Sequence, residues 1–155
     1  MINIIKYKDN KISIVSLIEE LQDYLIKIDP LKRLTRLPKY GEVYVDNLLE
    51  KIKNQDGVIY IAKIDNMPVG MIAGVFEEQT DIDKLECIPS KPARILELIV
   101  SERYRNQSIG SLLMNKIEEH FKEEGADIIW KVPIFLDTLS MGQLILPAVH
   151  YRRHF

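Results

Sequence analysis

The stretch Ile95-Leu96-Glu97-Leu98-Ile99-Val100-Ser101-Glu102-Arg103-Tyr104-Arg105-Asn106-Gln107-Ser108-Ile109-Gly110-Ser111 decides the reading of this chain. It begins as an apolar strand, passes through a tight basic turn and enters a helix. Beyond it, Ile109, Leu112, Leu113, Ile117 and Phe121 recur at helical spacing and form one apolar face. Ser111, Asn115, Glu118, Glu119 and Lys122 take the other side. A strand that runs straight into a helix through residues 105–110 aims several backbone N–H groups at one point. A helix N-terminus carries about half a positive charge, so such a turn suits an anion, above all a pyrophosphate. Arg105 adds a formal charge beside it.

The turn has one glycine, not the three of a dinucleotide fingerprint, and lacks the Gly-Lys-Ser/Thr of a P-loop. Arg105-Asn106-Gln107-Ser108-Ile109-Gly110 instead resembles the Arg/Gln-x-x-Gly-x-Gly/Ala motif of the GNAT superfamily of N-acetyltransferases. Glu97, Tyr104, Ser111-Leu112-Leu113-Met114 and the helix stop and strand Gly125-Ala126-Asp127-Ile128-Ile129-Trp130 extend the likeness to about thirty-five residues. Ser108 departs from it, standing where the first glycine is usual. A left-handed backbone at that position would favour glycine.

Composition sets outer bounds. The chain has 155 residues, enough for a sizeable core, and is expected to form one domain. Its 46% hydrophobic and 28% charged content are those of an ordinary globule. A net charge of −2 and a pI near 5.9 give no global basic field, so no nucleic-acid partner is expected. The single Cys87 rules out an intramolecular disulfide and a cysteine-rich metal site, and no metal is expected. With no run approaching the ~20 apolar residues of a membrane span and no signal-peptide pattern at the start, a cytoplasmic protein is expected.

The coarse pattern predicts a strand over 2–7, a helix over 12–28 with Val15, Ile18, Leu21, Leu25 and Ile28 on one face, and a second helix over 44–54. Strands over 58–64 and 69–77 join through Asp65-Asn66-Met67-Pro68 as a hairpin, and residues 78–91 read as a polar link. By itself this says mixed α/β. The resemblance implies more: an α/β (α+β) GNAT-like fold, with a mixed, mainly antiparallel sheet flanked by helices. That sheet would splay between the motif strand, about 93–101, and the next strand, about 126–132.

The resemblance also implies acetyl-CoA as cosubstrate. Backbone groups of Leu98, Ile99 and Val100 would hold its pantetheine arm. Amides of Asn106, Gln107, Ser108, Ile109, Gly110 and Ser111, helped by Arg105, would hold its pyrophosphate. The acceptor would be a primary amine of a small molecule or peptide, acetylated by direct attack. Such an amine must first lose a proton, and Glu97 is the candidate general base. Alternation places Ile95, Glu97 and Ile99 on one face, so Glu97 interrupts an apolar stripe, where burial would raise its pKa. The alternatives are a GNAT-like acyl-CoA-binding module with little turnover, or a structural protein that associates through its tail.

Other residues carry less. His120 sits near a helix end, where a cation suits the dipole. Cys87 reads as a small buried hydrophobe and Trp130 as core. Lys27, Lys32, Arg33, Arg36 and Lys39, around Asp29, form a basic segment between the first two helices, which in the family often shapes the acceptor pocket. Glu77, Glu78, Asp81, Asp83 and Glu86 form an acidic one, so charge does not select an acceptor.

Residues 132–155 lack the family's C-terminal helix and its tyrosine acid, and form an atypical tail. Permitted codons for residues 145–155, read one nucleotide later, give a peptide like the missing segment, so the tail reads as a frameshifted ending. Its apolar residues, Phe135, Leu136, Leu139, Leu144, Ile145 and Leu146, lead to the expectation that it covers a sheet edge or pairs with a second copy as a homodimer.

Overall fold

The computed structural model describes residues 1–131. The expectations for the tail fall on residues 132–155 and lie outside the described residues. The chain begins with β1 (Ile2–Lys6), α1 (Lys11–Ile28) and α2 (Tyr40–Asn54), then the hairpin β2 (Val58–Ile64) and β3 (Met67–Phe76). A short α3 (Asp81–Glu86) leads to β4 (Pro92–Val100), a 3-10 turn (Glu102–Tyr104), α4 (Ile109–Glu123) and β5 (Ile128–Trp130).

The five strands lie side by side in sequence order, antiparallel except for the β4–β5 pair, which is parallel. The mixed, mainly antiparallel sheet is thus the one expected. β5 meets β4 at three positions, Pro92 with Ile128, Ala93 with Ile129 and Arg94 with Trp130. Past Arg94, the far edge of β4 has no strand beside it among the described residues.

Apolar side chains cover both faces of the sheet, as a central sheet between helices requires. On one face α4 sets Ile109, Leu113, Ile117 and Phe121 against Tyr60, Val69, Ile72, Ala93, Ile95 and Ile129. On the other, α1 and α2 set Ile14, Leu17, Ile18, Val45 and Leu48 against Ile59, Ile61, Met71, Ala73 and Ile99.

Several details differ from the sequence reading. Leu112 was expected on the buried stripe of α4 but is 42% exposed, because a 3.6-residue repeat rotates it beyond the edge of that stripe. In α1 the buried face centres on Ile14, Leu17 and Ile18, while Ile28 at the helix end is exposed. α2 starts one turn earlier than expected, where Gly41 lets Glu19 of α1 lie against its backbone. The polar link holds α3, started by a capping box: Thr80 Oγ1 accepts from Asp83 N–H, and Asp83 accepts from Thr80 N–H. Cys87, at the end of α3, is half-buried rather than core.

Phe121 locks α4 to the sheet and is fully buried against Phe76, with ring centroids 5.0 Å apart. Gly74 of β3 lies directly beneath it. A Cβ there would meet Phe121 ring carbons at 2.7 and 2.9 Å and the Arg94 carbonyl at 3.0 Å. Gly74→Ala is therefore expected to lower stability by about 1–3 kcal/mol through overpacking. Urea unfolding checks this; a midpoint equal to that of the original protein would show that α4 yields freely at this contact.

Candidate active site

β4 carries the candidate site, and one irregularity sets its geometry. Across the β3–β4 ladder Ala73 faces Glu97, yet Gly74 faces Ile95. Leu96 is the extra residue of a β-bulge. As a result Ile95 packs on the α4 side, while Leu96, Glu97 and Ile99 lie toward α1 and α2. The expected alternation of Ile95, Glu97 and Ile99 on one face is thus corrected, since one inserted residue reverses the side taken by everything after it. Glu97 still interrupts an apolar layer, but it is the layer beneath α2.

There Tyr44 of α2 donates its phenol O–H to Glu97 Oε1. Burial raises the Glu97 carboxyl above the usual glutamate range, and the Tyr44 hydrogen bond partly offsets that rise. The phenol of Tyr44 is pushed up in turn, first by burial and then by its bond to the carboxylate. Tyr40, one helical turn earlier, lies with its ring centroid 5.7 Å from that of Tyr44. Its hydroxyl donates to Gln22 Oε1 at 3.3 Å, and Gln22 Nε2 donates to the Thr35 carbonyl at 2.8 Å. The sequence reading missed Tyr40 and Tyr44. Their i, i+4 spacing puts them on one side of α2, but nothing local pairs them with a glutamate more than fifty positions away.

Backbone parity assigns roles along the rest of β4. Ser101 N–H donates to the Val69 carbonyl at 2.8 Å. In an antiparallel ladder residues two apart turn their polar groups the same way, so Ile99 also faces β3, and Leu98 and Val100 face away from it, toward the β5 side of the strand. Of Leu98, Ile99 and Val100, the first and last thus turn their backbone groups away from β3 and Ile99 toward it. The Val100 carbonyl already accepts from Arg105 Nε at 3.2 Å.

The turn itself is built on two left-handed residues, Asn106 and Ser108, both with φ of 62°. Ser108 makes no side-chain cap. The first bond of α4 runs from Leu112 N–H to the Ser108 carbonyl at 3.0 Å. The N–H groups of Ile109, Gly110 and Ser111 therefore have no intrahelical partner and point along the helix axis. Arg105 is engaged elsewhere as well: its guanidinium lies 4.5 Å above the Tyr24 ring of α1. It thus ties the turn to the end of β4 and to α1. Glu20 of α1 accepts from Ser101 Oγ at 3.0 Å and from Glu102 N–H at 2.8 Å, fixing the start of the turn.

The basic segment between α1 and α2 is braced. Asp29 accepts from the N–H groups of Leu31, Arg33 and Leu34 at 3.0, 2.6 and 3.0 Å. Arg36 grips both carboxylate oxygens of Asp23, at 2.7 and 3.0 Å, so its charge is already neutralised. His120 lies away from the site and meets the Tyr60 hydroxyl at 3.3 Å. Among the described residues no group of acidic, histidine or cysteine side chains could hold a metal, and no helix is long and apolar enough to cross a membrane.

Residues 16–137 match the model of the acetyltransferase (GNAT) family. No curated protein matches the chain. Solved structures share its fold. A putative acetyl transferase from Pyrococcus furiosus is 20% identical with a TM-score of 0.67, over 96% of this chain and 97% of that one. A GNAT-family acetyltransferase from Staphylococcus aureus Mu50 is 21% identical with a TM-score of 0.65, over 98% and 96%. The PaiA N-acetyltransferase from Thermoplasma acidophilum, in complex with coenzyme A, is 15% identical with a TM-score of 0.61, over 90% and 84%.

Two stability measurements test this geometry. A left-handed residue other than glycine costs roughly 1–2 kcal/mol, and a β-branched one more. Ser108→Gly should leave stability unchanged or raise it by up to about 1 kcal/mol, the relief being offset in part by the greater freedom of glycine in the unfolded chain. Ser108→Val should lower it by about 1–3 kcal/mol. Equal melting temperatures for the Val and Ser proteins would exclude the left-handed turn. For Glu97, a raised folded-state pKa means that the folded protein holds this proton more tightly than the unfolded chain does. Stability from this group is then complete below the ordinary glutamate pKa and declines as pH rises through the folded value. Glu97→Gln should therefore melt higher than the original protein at pH 7–8, with the difference vanishing near pH 4. An equal or lower melting temperature for the Gln protein at neutral pH would contradict the burial argument.

Proposed function

The chain belongs to the acetyltransferase (GNAT) family and is an N-acetyltransferase, and we propose that it carries acetyl from acetyl-CoA directly to a primary amine, with Glu97 as general base. The observation that carries this reading is the half-buried Glu97 carboxyl on the strand whose following residues Leu98 and Val100 turn backbone groups away from β3, past the last β5 pairing at Arg94. The N–H groups of Ile109, Gly110 and Ser111, without helical partners, suit a pyrophosphate at the end of that strand. Acetyl-CoA supplies the activated thioester carbonyl. The protein supplies position and the removal of a proton.

The chemistry balances simply. An ammonium N–H bond breaks and its proton passes to Glu97. The electron pair stays on nitrogen and forms a bond to the acetyl carbon as the carbon–sulfur bond breaks. The nitrogen sheds its second proton to solvent as the amide forms, and the departing thiolate is protonated from solvent. A carboxyl whose pKa is raised above the ordinary glutamate range is a better match for this task than an exposed one, because it is the stronger base and takes the proton more readily. The acceptor is a small-molecule or peptide amine that reaches Glu97 beside α2 and the braced segment after α1.

Titration with acetyl-CoA by calorimetry, followed by thiol release with a panel of amines, tests the reading. Ser111→Glu sets a negative charge among the turn donors, where the helix itself tolerates it. It should weaken acetyl-CoA binding by about 1.5–3 kcal/mol without loss of stability. Glu97→Gln should leave acetyl-CoA affinity nearly intact and lower kcat by roughly 10²–10⁴-fold. Unchanged affinity in the first variant would move the pyrophosphate elsewhere, and full turnover across pH in the second would give the proton to another group.

A further inference from the structure

We propose that Tyr44 is the positioning residue of the Glu97 carboxylate: from α2 its phenol holds Oε1 and thereby leaves Oε2 as the oxygen that receives the acceptor's proton. The proposal rests on the acetyltransferase reading given above and deepens it. Its basis is geometric. Glu97 sits on the β4 bulge, and the Tyr44 bond is the one hydrogen bond to its carboxylate among the described residues. A carboxylate on a bulged strand has rotational freedom that a single donor removes.

Tyr44 is itself held. Its ring packs against Tyr40, whose hydroxyl reaches Gln22 of α1, and Gln22 reaches the Thr35 carbonyl. The braced segment after α1 is thereby linked through two tyrosines to the candidate base. The titratable groups around Glu97 are few. α2 presents Tyr40 and Tyr44, while β3 opposes it with Ala73. α1 brings Gln22 through Tyr40 and turns two charges toward α2: Glu19, which lies against Gly41 and 3.7 Å from Arg36, and Lys11, paired with Asp46 of α2 at 2.5 Å. On β4 the neighbours Leu96 and Leu98 are apolar, and β5 pairs no further along β4 than Arg94. Tyr44 keeps its proton in the working range because both burial and the carboxylate hold its phenol up. It acts as a donor to the carboxylate and does not itself touch the reacting atoms.

Tyr44→Phe keeps the ring and removes the donor. A hydrogen bond to the charged form lowers a carboxyl pKa, so its loss should carry the acid limb of kcat/KM upward by about one pH unit. The rate on the plateau should fall roughly 10–100-fold with KM for acetyl-CoA unchanged. A residue that merely supports the fold would lower melting temperature and rate without moving the limb. The Glu97 carboxyl, followed by 13C NMR in acetyl-free protein, should show the same upward shift in Tyr44→Phe. In Glu97→Gln, the Tyr44 phenol followed by 13C-labelled tyrosine should titrate lower than in the original protein. A Tyr44→Phe enzyme with an unmoved limb, or an unmoved carboxyl midpoint, overturns the proposal and leaves acetyl transfer standing. If the original protein transfers acetyl to no amine, the acetyl-transfer reading fails instead. The NMR titrations still decide whether Tyr44 holds Glu97, and an unmoved carboxyl midpoint in Tyr44→Phe overturns it there too.

Discussion

One extra residue in β4 does more for this molecule than any other local feature. The bulge at Leu96 lets the first part of the strand pack Ala93 and Ile95 beneath α4, while the part beyond it turns Glu97 and Ile99 toward α1 and α2. Without that insertion, strict alternation would carry Glu97 through the sheet to the side of Ile95 and away from Tyr44. The same reversal turns Leu98 and Val100 toward the α4 layer. Glu97, the outer edge of β4 and the turn thus share a frame set by backbone register.

The turn after β4 shows a second constraint. Ile109 and Gly110 are buried against the sheet, so α4 cannot shift to ease the entry into its first turn. The two left-handed residues before it absorb the change of direction. Asn106 suits that conformation because asparagine tolerates it better than other side chains do. Ser108 is less suited and is kept within hydrogen-bonding reach of solvent. The family match includes this turn despite the serine. A small side chain leaves the neighbouring amides open, which is the property an anion site needs.

Much of this was legible beforehand, and the exceptions have physical causes. The β4–α4–β5 unit and the hairpin could be read because periodicity and a local motif carry them, and Glu97 stood out as the one charge in the apolar run 95–100, though alternation put it on the wrong face. Leu96 gave no sign of a bulge, since it is one more apolar residue in an apolar run. Ile14 and Leu17 were missed because α1 is apolar around much of its circumference, and only the sheet and α2 together decide which stripe is buried. Tyr44 was invisible as a site residue because its partner lies on another element. α3, by contrast, announced itself: Thr80 and Asp83 stand at capping-box spacing, yet the charge of the segment made it read as a link.

The segment between α1 and α2 separates shape from chemistry. Asp29 sets its path through three backbone N–H groups, and Leu31, Leu34 and Leu37 point outward at 62%, 44% and 68% exposure. A backbone donor belongs to every residue type except proline. The three leucines are therefore interchangeable with other side chains while the loop keeps its course, so long as Asp29 stays and proline is kept from positions 31, 33 and 34. A lineage could alter what this rim touches by single substitutions without refolding the rim. The conserved investment would be one carboxylate, and the variable surface would come with no structural debt.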